Sequence, residues 1–344
     1  MPVNKLLLSS SPHVFSEVST RKIMLAVILA LLPATAYGIY LYGVSALFLV
    51  FVSIVAAVAS EWIFRFAIKA KRSIDDFSAV VTGLLLALIL PPSTPLWMAA
   101  LGSIAAIVVA KEFFGGLGQN PFNPALTGRA ILLMSFPAAI TTWNKPFTAI
   151  ADAVTTATPL NLVKQAIGTG SSMQEAIAKV IGSIGAADQA GFYWQLFLGN
   201  RSGSLGESSI LLVLLGGIFL LAIGVIQWIV PVSILLSTAL LSLLLGIDPL
   251  FAILSGGVVF GAFFMATDYA TSPLTVKGKA VYGVSIGLLI VLIRKFGGFP
   301  EGVTYAILVM NMVVPFLDKL RVRKYGFVAP QKPQTSAPAK GAAK

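Results

Sequence analysis

The stretch DAVTTATPLN, residues 152–161, crowds hydroxyl groups into a chain that is otherwise strongly apolar. An accessible threonine hydroxyl is a nucleophile that can carry a covalent group, which alanine in its place cannot do. The same run also suits a simple Thr/Pro turn, the default use of such residues. It contains no Asn-x-Ser/Thr, so N-glycosylation has no local support. Two other passages set polar residues where a regular helix cannot continue. KEFFGGLGQNPFNPALTGRA (111–130) holds a Gly-Gly and two Asn-Pro pairs, with Asn120 and Asn123 at the breaks. FMATDYATSPLTVKGKAVYG (263–283) puts Asp268 at a helix end. Backbone freed near membrane depth is tolerated only where protein or a lined cavity satisfies it. Ionisable groups at such depth are candidates for function. The plainer alternative makes Lys111 and Glu112 interfacial residues and Asp268 a turn cap. Glu61 and Arg65, spaced i,i+4, read as a local ion pair worth roughly 0.2–0.5 kcal/mol if exposed.

Composition sets the solvent in which these groups work. Of 344 residues 57% are hydrophobic and 11% charged, with a mean hydropathy of +0.91. Soluble chains carry about 25% charged residues, so this is an all-α polytopic membrane protein. Spanning a bilayer takes about 20 apolar residues per helix. Ten segments are expected: 23–42, 44–64, 77–91, 95–113 and a short, partly broken 128–139, then 209–230, 231–246, 249–267, 280–295 and 302–317. The first run has no small-residue cleavage site after it and reads as a retained anchor.

The +11 net charge does not indicate nucleic acid, because the basic residues collect beside the ends of apolar segments rather than on one face. With the N-terminus in the cytoplasm, eighteen Lys and Arg fall on the cytoplasmic side and six on the other. That bias places both termini inside and the polar interval outside, in the cytoplasmic membrane of the cell. The chain then divides into a cytoplasmic segment 1–22, a first membrane half 23–139, an extracytoplasmic loop domain 140–208, a second half 209–317 and a basic tail 318–344 suited to contact with lipid or partners. Short proline-bounded segments, one ending LALILPPSTP and one starting VPVSILLS, support two five-helix halves with broken helices. A local likeness of PLWMAALGSIAA to PLFAILSGGVVF pairs the fourth and eighth segments instead. Within the loop domain, SSMQEAIAKVIGSIGAAD has helical spacing with Ser171 or Ser172 as N-cap. LGNRSGSLGESS is a connecting loop, with backbone N–H groups that could face an anion.

The chain has no cysteine and one histidine, His13. Disulfides, thiolate iron–sulfur ligation and bis-histidine haem are therefore outside its own means. An electron-carrying role requires an organic cofactor.

Asp152-x-x-Thr155-x-Ala157-Thr158 resembles the D-x-x-[S/T]-G-A-T motif of proteins that receive FMN from a flavin transferase. Thr156 stands where the motif has glycine. Together with the two broken passages and GNRSGSLGESS, the likeness extends over most of 23–317. It is to the D subunit of Rnf electron-transport complexes and the related B subunit of the sodium-pumping NADH:quinone oxidoreductase. The short leader before the first helix brings the chain nearer the Rnf D subunit. The resemblance implies a subunit of an ion-translocating (Na⁺ or H⁺) ferredoxin/NAD complex whose FMN is esterified to Thr158. Asp152 would serve recognition or turn geometry, and Asn161 or the GSLGES loop would supply N–H donors to the phosphate. It further implies a second, non-covalent flavin such as riboflavin, for which Asn120, Asn123 and Asp268 are the candidates. Partners carrying iron–sulfur clusters and flavins, a flavin transferase and membrane lipid follow. The rival readings are a small-solute transporter or channel without redox function, and a structural subunit that has lost its flavin.

Overall fold

The computed structural model describes residues 19–70, 74–147, 155–184, 188–199, 201–298 and 301–319. His13, Asp152 and most of the basic tail lie outside them. Apolar runs without competing turn chemistry become helices, as the hydropathy predicts. α1 (Thr20–Tyr42) starts where the Ser19 side chain accepts the Lys22 N–H at 3.3 Å, and α2 (Val44–Ala67) follows across Gly43. α3 (Ser78–Ile89) is buried on nearly every side. That is how a helix apolar all round comes to rest when other helices, not lipid, surround it. α4 (Leu96–Val108) runs into a tight turn at Glu112–Phe114, and α5 (Pro124–Ser135) follows.

The expected fifth segment, 128–139, begins earlier and is two pieces. Asn123 caps α5, and Pro137 forces a new start for α6 (Pro137–Ile140). After the polar interval come α10 (Ile210–Ala222) and α11 (Ile229–Leu244), so the expected join at 230–231 is instead a six-residue connection ending ahead of Ile229. The expected eighth segment, 249–267, is also broken. α12 (Pro249–Leu254) stops at Ser255-Gly256-Gly257, and α13 (Val258–Phe260) leads into a π-helical turn, Gly261–Met265. α14 (Val276–Phe296) and α15 (Val303–Leu317) complete the order. Four stretches are long and apolar enough to cross a membrane by length and composition: α1, α2, Leu96–Phe114 and α14. α3, α10, α11 and α15 are shorter apolar helices. The chain is a multi-pass membrane protein.

Packing runs in parallel through the two sets of helices. α2 lies against α3 and α4, and α4 against α5; α11 lies against α12 and α14, and α14 against α15. The sets meet where α1 packs on α10 and α5 on α15. By these neighbours α4 corresponds to α14, not to α12, so the local likeness between the fourth and eighth segments does not mark equivalent positions. Close approach of backbones makes these contacts, as in membrane bundles generally. A side chain at Gly128 of α5 would put its Cβ 2.6 Å from the Gly102 carbonyl oxygen of α4.

Between α6 and α10 a second, smaller core forms. β1 (Trp143–Asn144) pairs antiparallel with β2 (Thr155–Thr156), Trp143 opposite Thr156. α7 (Pro159–Gly168), α8 (Met173–Ile184) and α9 (Gln189–Leu198) pack Leu160, Val163, Ile177, Val180 and Phe192 against Phe251 of α12. Of the helical spacing read at 171–188, Met173–Ile184 forms α8, and Ser172 is the cap. Its hydroxyl accepts the Glu175 N–H at 3.3 Å while the Glu175 carboxylate accepts the Ser172 N–H at 3.0 Å, a capping box.

Gly128→Val should cost about 1–3 kcal/mol through overpacking and lower the thermal midpoint of the detergent-solubilised protein by several degrees. The lipid-facing Leu101→Val should leave the midpoint in place. Equal midpoints for the two would show that α4 and α5 do not meet at Gly128.

Candidate functional site

Thr158 occupies the N-cap of α7. Its backbone is extended, and its Oγ1 accepts the Asn161 N–H at 3.2 Å. Pro159 at the first helical position has no N–H to offer, so the donors left at this terminus belong to Leu160 and Asn161. Upstream, Thr155 and Thr156 are held in β2, and Ala157 makes the half-buried link to the cap. A phosphoester on Thr158 Oγ1 would set its anionic oxygens at a helix N-terminus, where dipole and N–H groups favour negative charge. The donor chemistry therefore fits a phosphate. Thr158 is 8% exposed. Among the described residues, no hydrogen bond joins the GSLGES loop to Thr158. Leu205, Gly206 and Glu207 are buried against α1 and α3, and the Tyr42 hydroxyl donates to the carbonyls of Arg201 and Gly203 at 3.2 and 3.3 Å. Of the donors expected for a phosphate, the Asn161 N–H is the one in place.

The two broken passages meet at the other end of α1. Ile23, Met24 and Val27 line a cleft there, whereas Leu41 accepts the Phe147 N–H beside the β1–β2 pair. From Met24 to Leu41 the helix rises roughly 25 Å. The cleft encloses about 90 Å³, or about 770 Å³ with its open mouth. Asn120, Asn123 and Asp268, distant in sequence, all line it, and Phe263 and Phe264 of the π-helical turn form a wall. Both amides are engaged by backbone. Asn120 accepts from the Gly118 N–H and donates to the Phe122 carbonyl. Asn123 accepts from the Leu126 N–H at 3.2 Å and donates to the Met265 carbonyl at 3.3 Å, tying α5 to the π turn. Their first task is to satisfy backbone groups that the breaks release, and an amide oxygen keeps capacity for one further bond. The Asp268 carboxylate accepts the Thr271 hydroxyl at 3.1 Å, so it also organises its own turn.

Lys111 reaches this cleft from a buried charge network. Glu61 is not half of an isolated surface pair with Arg65: it is 0% exposed, and its carboxylate lies 3.0 Å from the ammonium of Lys111. Arg65 grips Glu112 through Nε at 3.0 Å and Nη2 at 3.3 Å and stays 3.6 Å from Glu61. The Lys111 ammonium also donates to Ser78 Oγ at 2.7 Å. Lys111 and Glu112 are thus buried within the protein. The sequence spacing showed only the i,i+4 pair, because the partners from 111–112 arrive through tertiary contact.

A second buried knot escaped the sequence reading. Arg129 of α5 pairs with Glu301 just ahead of α15. Arg294, near the end of α14, donates to the carbonyls of Ala252 at 2.6 Å, Ser255 at 2.9 Å and Gly256 at 3.1 Å. Arg201 donates to the Leu254 carbonyl at 2.7 Å. Together they cap the open C-terminal end of α12. The available signal was arginine inside apolar runs, ALTGRAILL and IVLIRKF, which membrane energetics marks as paired or functional.

The NQR2, RnfD, RnfE family is matched over residues 7–326. One relative is the D subunit of the proton-translocating ferredoxin:NAD(+) oxidoreductase complex of Clostridium ljungdahlii. The chain is 44% identical to it over 323 residues, an alignment covering 92% of this chain and 94% of the relative. A second, 43% identical, is the D subunit of the Na(+)-translocating ferredoxin:NAD(+) oxidoreductase complex of Acetobacterium woodii, matched over 93% of this chain and 95% of that one. A third, from Stutzerimonas stutzeri, is the D subunit of an ion-translocating oxidoreductase complex, 39% identical over 93% and 96% of the two chains.

Lys111→Met leaves the Glu61 carboxylate buried without its ammonium, and breaking such a pair costs about 3–5 kcal/mol. Chemical denaturation in detergent should register that loss, and adding Glu61→Gln to the same chain should recover part of it. A double variant no more stable than Lys111→Met alone would rule out charge pairing as the cause.

Proposed function

The chain belongs to the NQR2, RnfD, RnfE family, and from that premise we propose that it is the flavin-bearing membrane subunit of an ion-translocating ferredoxin/NAD electron-transport complex, with FMN esterified to Thr158. The observation that carries the reading is the place of Thr158: within D-x-x-T-x-A-T its hydroxyl stands at the N-terminus of α7, 3.2 Å from the Asn161 N–H. The flavin, when bound, supplies one- and two-electron carriage. The protein's own contribution at this end is retention and orientation. An ester to a capped helix start keeps the cofactor from being lost, and the Leu160 and Asn161 N–H groups face its phosphate. The β1–β2 pair fixes the approach of the chain to the cap.

In this reading the ten apolar segments all cross the membrane, both termini are cytoplasmic and Thr158 faces the other side. The ion is Na⁺ or H⁺, as in the named relatives. The cleft at the opposite end of α1 is the place for a second, non-covalent flavin. Phe263, Phe264, Asn120 and Asn123 line it and would border a ring held there. Iron–sulfur clusters belong to partner subunits, since the chain has no cysteine.

The protein expressed with a flavin transferase should give an ultraviolet-excited fluorescent band on a denaturing gel, and Thr158→Ala should abolish it. A dark parent band would refute the covalent flavin and move a permease without redox function to the front. Val27→Trp, which fills the cleft from α1, should remove the flavin released by denaturant while leaving the covalent band. Unchanged release would take the second flavin out of this cleft.

A further inference from the structure

A separate cavity of about 390 Å³ lies beneath the outer helices, between α7 and the ends of α11 and α14. Its walls are apolar, with Val163 and Ile167 of α7 facing Val291 of α14. Its charged lining is basic throughout: Lys164, Arg294 and Lys295, with no acidic residue among the described side chains that border it. Arg294 spends its guanidinium on the carbonyls at the end of α12. The Lys164 ammonium donates to the Gly297 carbonyl, which holds it at the rim beside the end of α14. The Lys295 ammonium donates to the Leu245 carbonyl at 3.0 Å and is exposed. An ammonium has three donors, so one carbonyl does not exhaust Lys295. On the opposite side the cavity is bordered by Ser242, fully buried, whose Oγ has no hydrogen-bond partner.

The mouth of this cavity adjoins a surface that suits hydrocarbon. Leu243 and Leu244 at the end of α11 are 65% and 80% exposed, and Phe296 at the end of α14 is 73% exposed. α7 and α8 are amphipathic, with their apolar faces turned onto the ends of the membrane helices. Helices of that kind lie at the boundary between headgroups and acyl chains. Basic residues at that level attract anionic headgroups. A second trough continues the space under α8, sharing Met173, Gly246 and Ile247 with the first, but it is more polar, with Gln174, Gln189 and Asp248 on its lining. The first cavity by itself is a slot with an apolar body, a cationic rim and lateral access from the bilayer.

We propose that this cavity is a binding site for an anionic phospholipid, its headgroup phosphate at Lys295 and Lys164 and one acyl chain in the slot between α7, α11 and α14. The lipid wedges the outer helices onto the membrane helices and so holds the first turn of α7, which begins at Thr158, in a fixed place. The site is distinct from the cleft at the other end of α1 and does not depend on any flavin being bound. A free anion such as inorganic phosphate would share the rim chemistry but leave the apolar slot empty.

The test uses the full-length protein in detergent, stripped of lipid, with thermal unfolding as the readout. Phosphatidylglycerol should raise the midpoint by several degrees, and phosphatidylcholine and inorganic phosphate should not. Lys295→Gln should weaken the phosphatidylglycerol response about tenfold in the concentration needed. Ile167→Trp, at a half-exposed position that reaches into the slot, should abolish the response without lowering the lipid-free midpoint. The proposal is overturned if the two lipids act alike, if phosphate alone reproduces the shift, or if Ile167→Trp responds as the parent does. Loss of copurifying subunits from Ile167→Trp, with lipid retained, would instead identify the occupant as a partner helix and also overturn it.

Discussion

Backbone carbonyl and N–H groups released by a broken helix have no water to turn to inside a bilayer, and the rest of this structure is arranged around that demand. α12 ends after six residues, and the carbonyls it leaves open are taken by Arg294 and Arg201. The π-helical turn that follows is tied by Asn123, whose amide donates to the Met265 carbonyl. The turn at 111–123 is satisfied by Asn120 and Asn123 acting as caps. Polar side chains at membrane depth are thus first of all backbone partners, and their chemistry toward any ligand is what remains after that duty.

Importing arginines and lysines into such a place requires compensation by carboxylates. Lys111 follows α4, and Arg294 closes α14, the helix with the corresponding neighbours. Glu112 adjoins Lys111 in sequence, whereas Glu61 reaches it only after folding. Glu61 and Glu112 gather around Lys111 and Arg65, and Glu301 pairs with Arg129 across the meeting of α5 and α15. Buried pairs add little net stability, but breaking one is costly. Such pairs therefore hold the sets of helices in one register more than they deepen the fold.

α1 spans the distance between the two ends where chemistry can occur. One end holds the cleft with Asp268 and Lys111, the other the β1–β2 pair leading to Thr158. Roughly 25 Å is too long for a direct contact between groups at the two ends. The cleft and the start of α7 are therefore separate places in the fold, held apart by the length of α1.

Much of this was open to the sequence. Hydropathy alone gives a multi-pass helical membrane protein, because burial of apolar residues in lipid is local and additive along a segment. The cap of α8 and the hydroxyl at the start of α7 are local too, set by residues within one turn. The breaks at Asn-Pro and Gly-Gly were legible for the same reason. What the sequence could not supply was partnership over long separations. Glu61 with Lys111, Arg129 with Glu301 and Arg294 with the end of α12 join residues that spacing does not relate. The gathering of Asn120, Asn123 and Asp268 around one cleft, and the withdrawal of the GSLGES loop into the interior, were likewise decided by packing. The sequence determined which segments leave water and where they must break; tertiary structure decided which groups answer the breaks, since a hydrogen bond or ion pair is fixed by position in space and not by order along the chain.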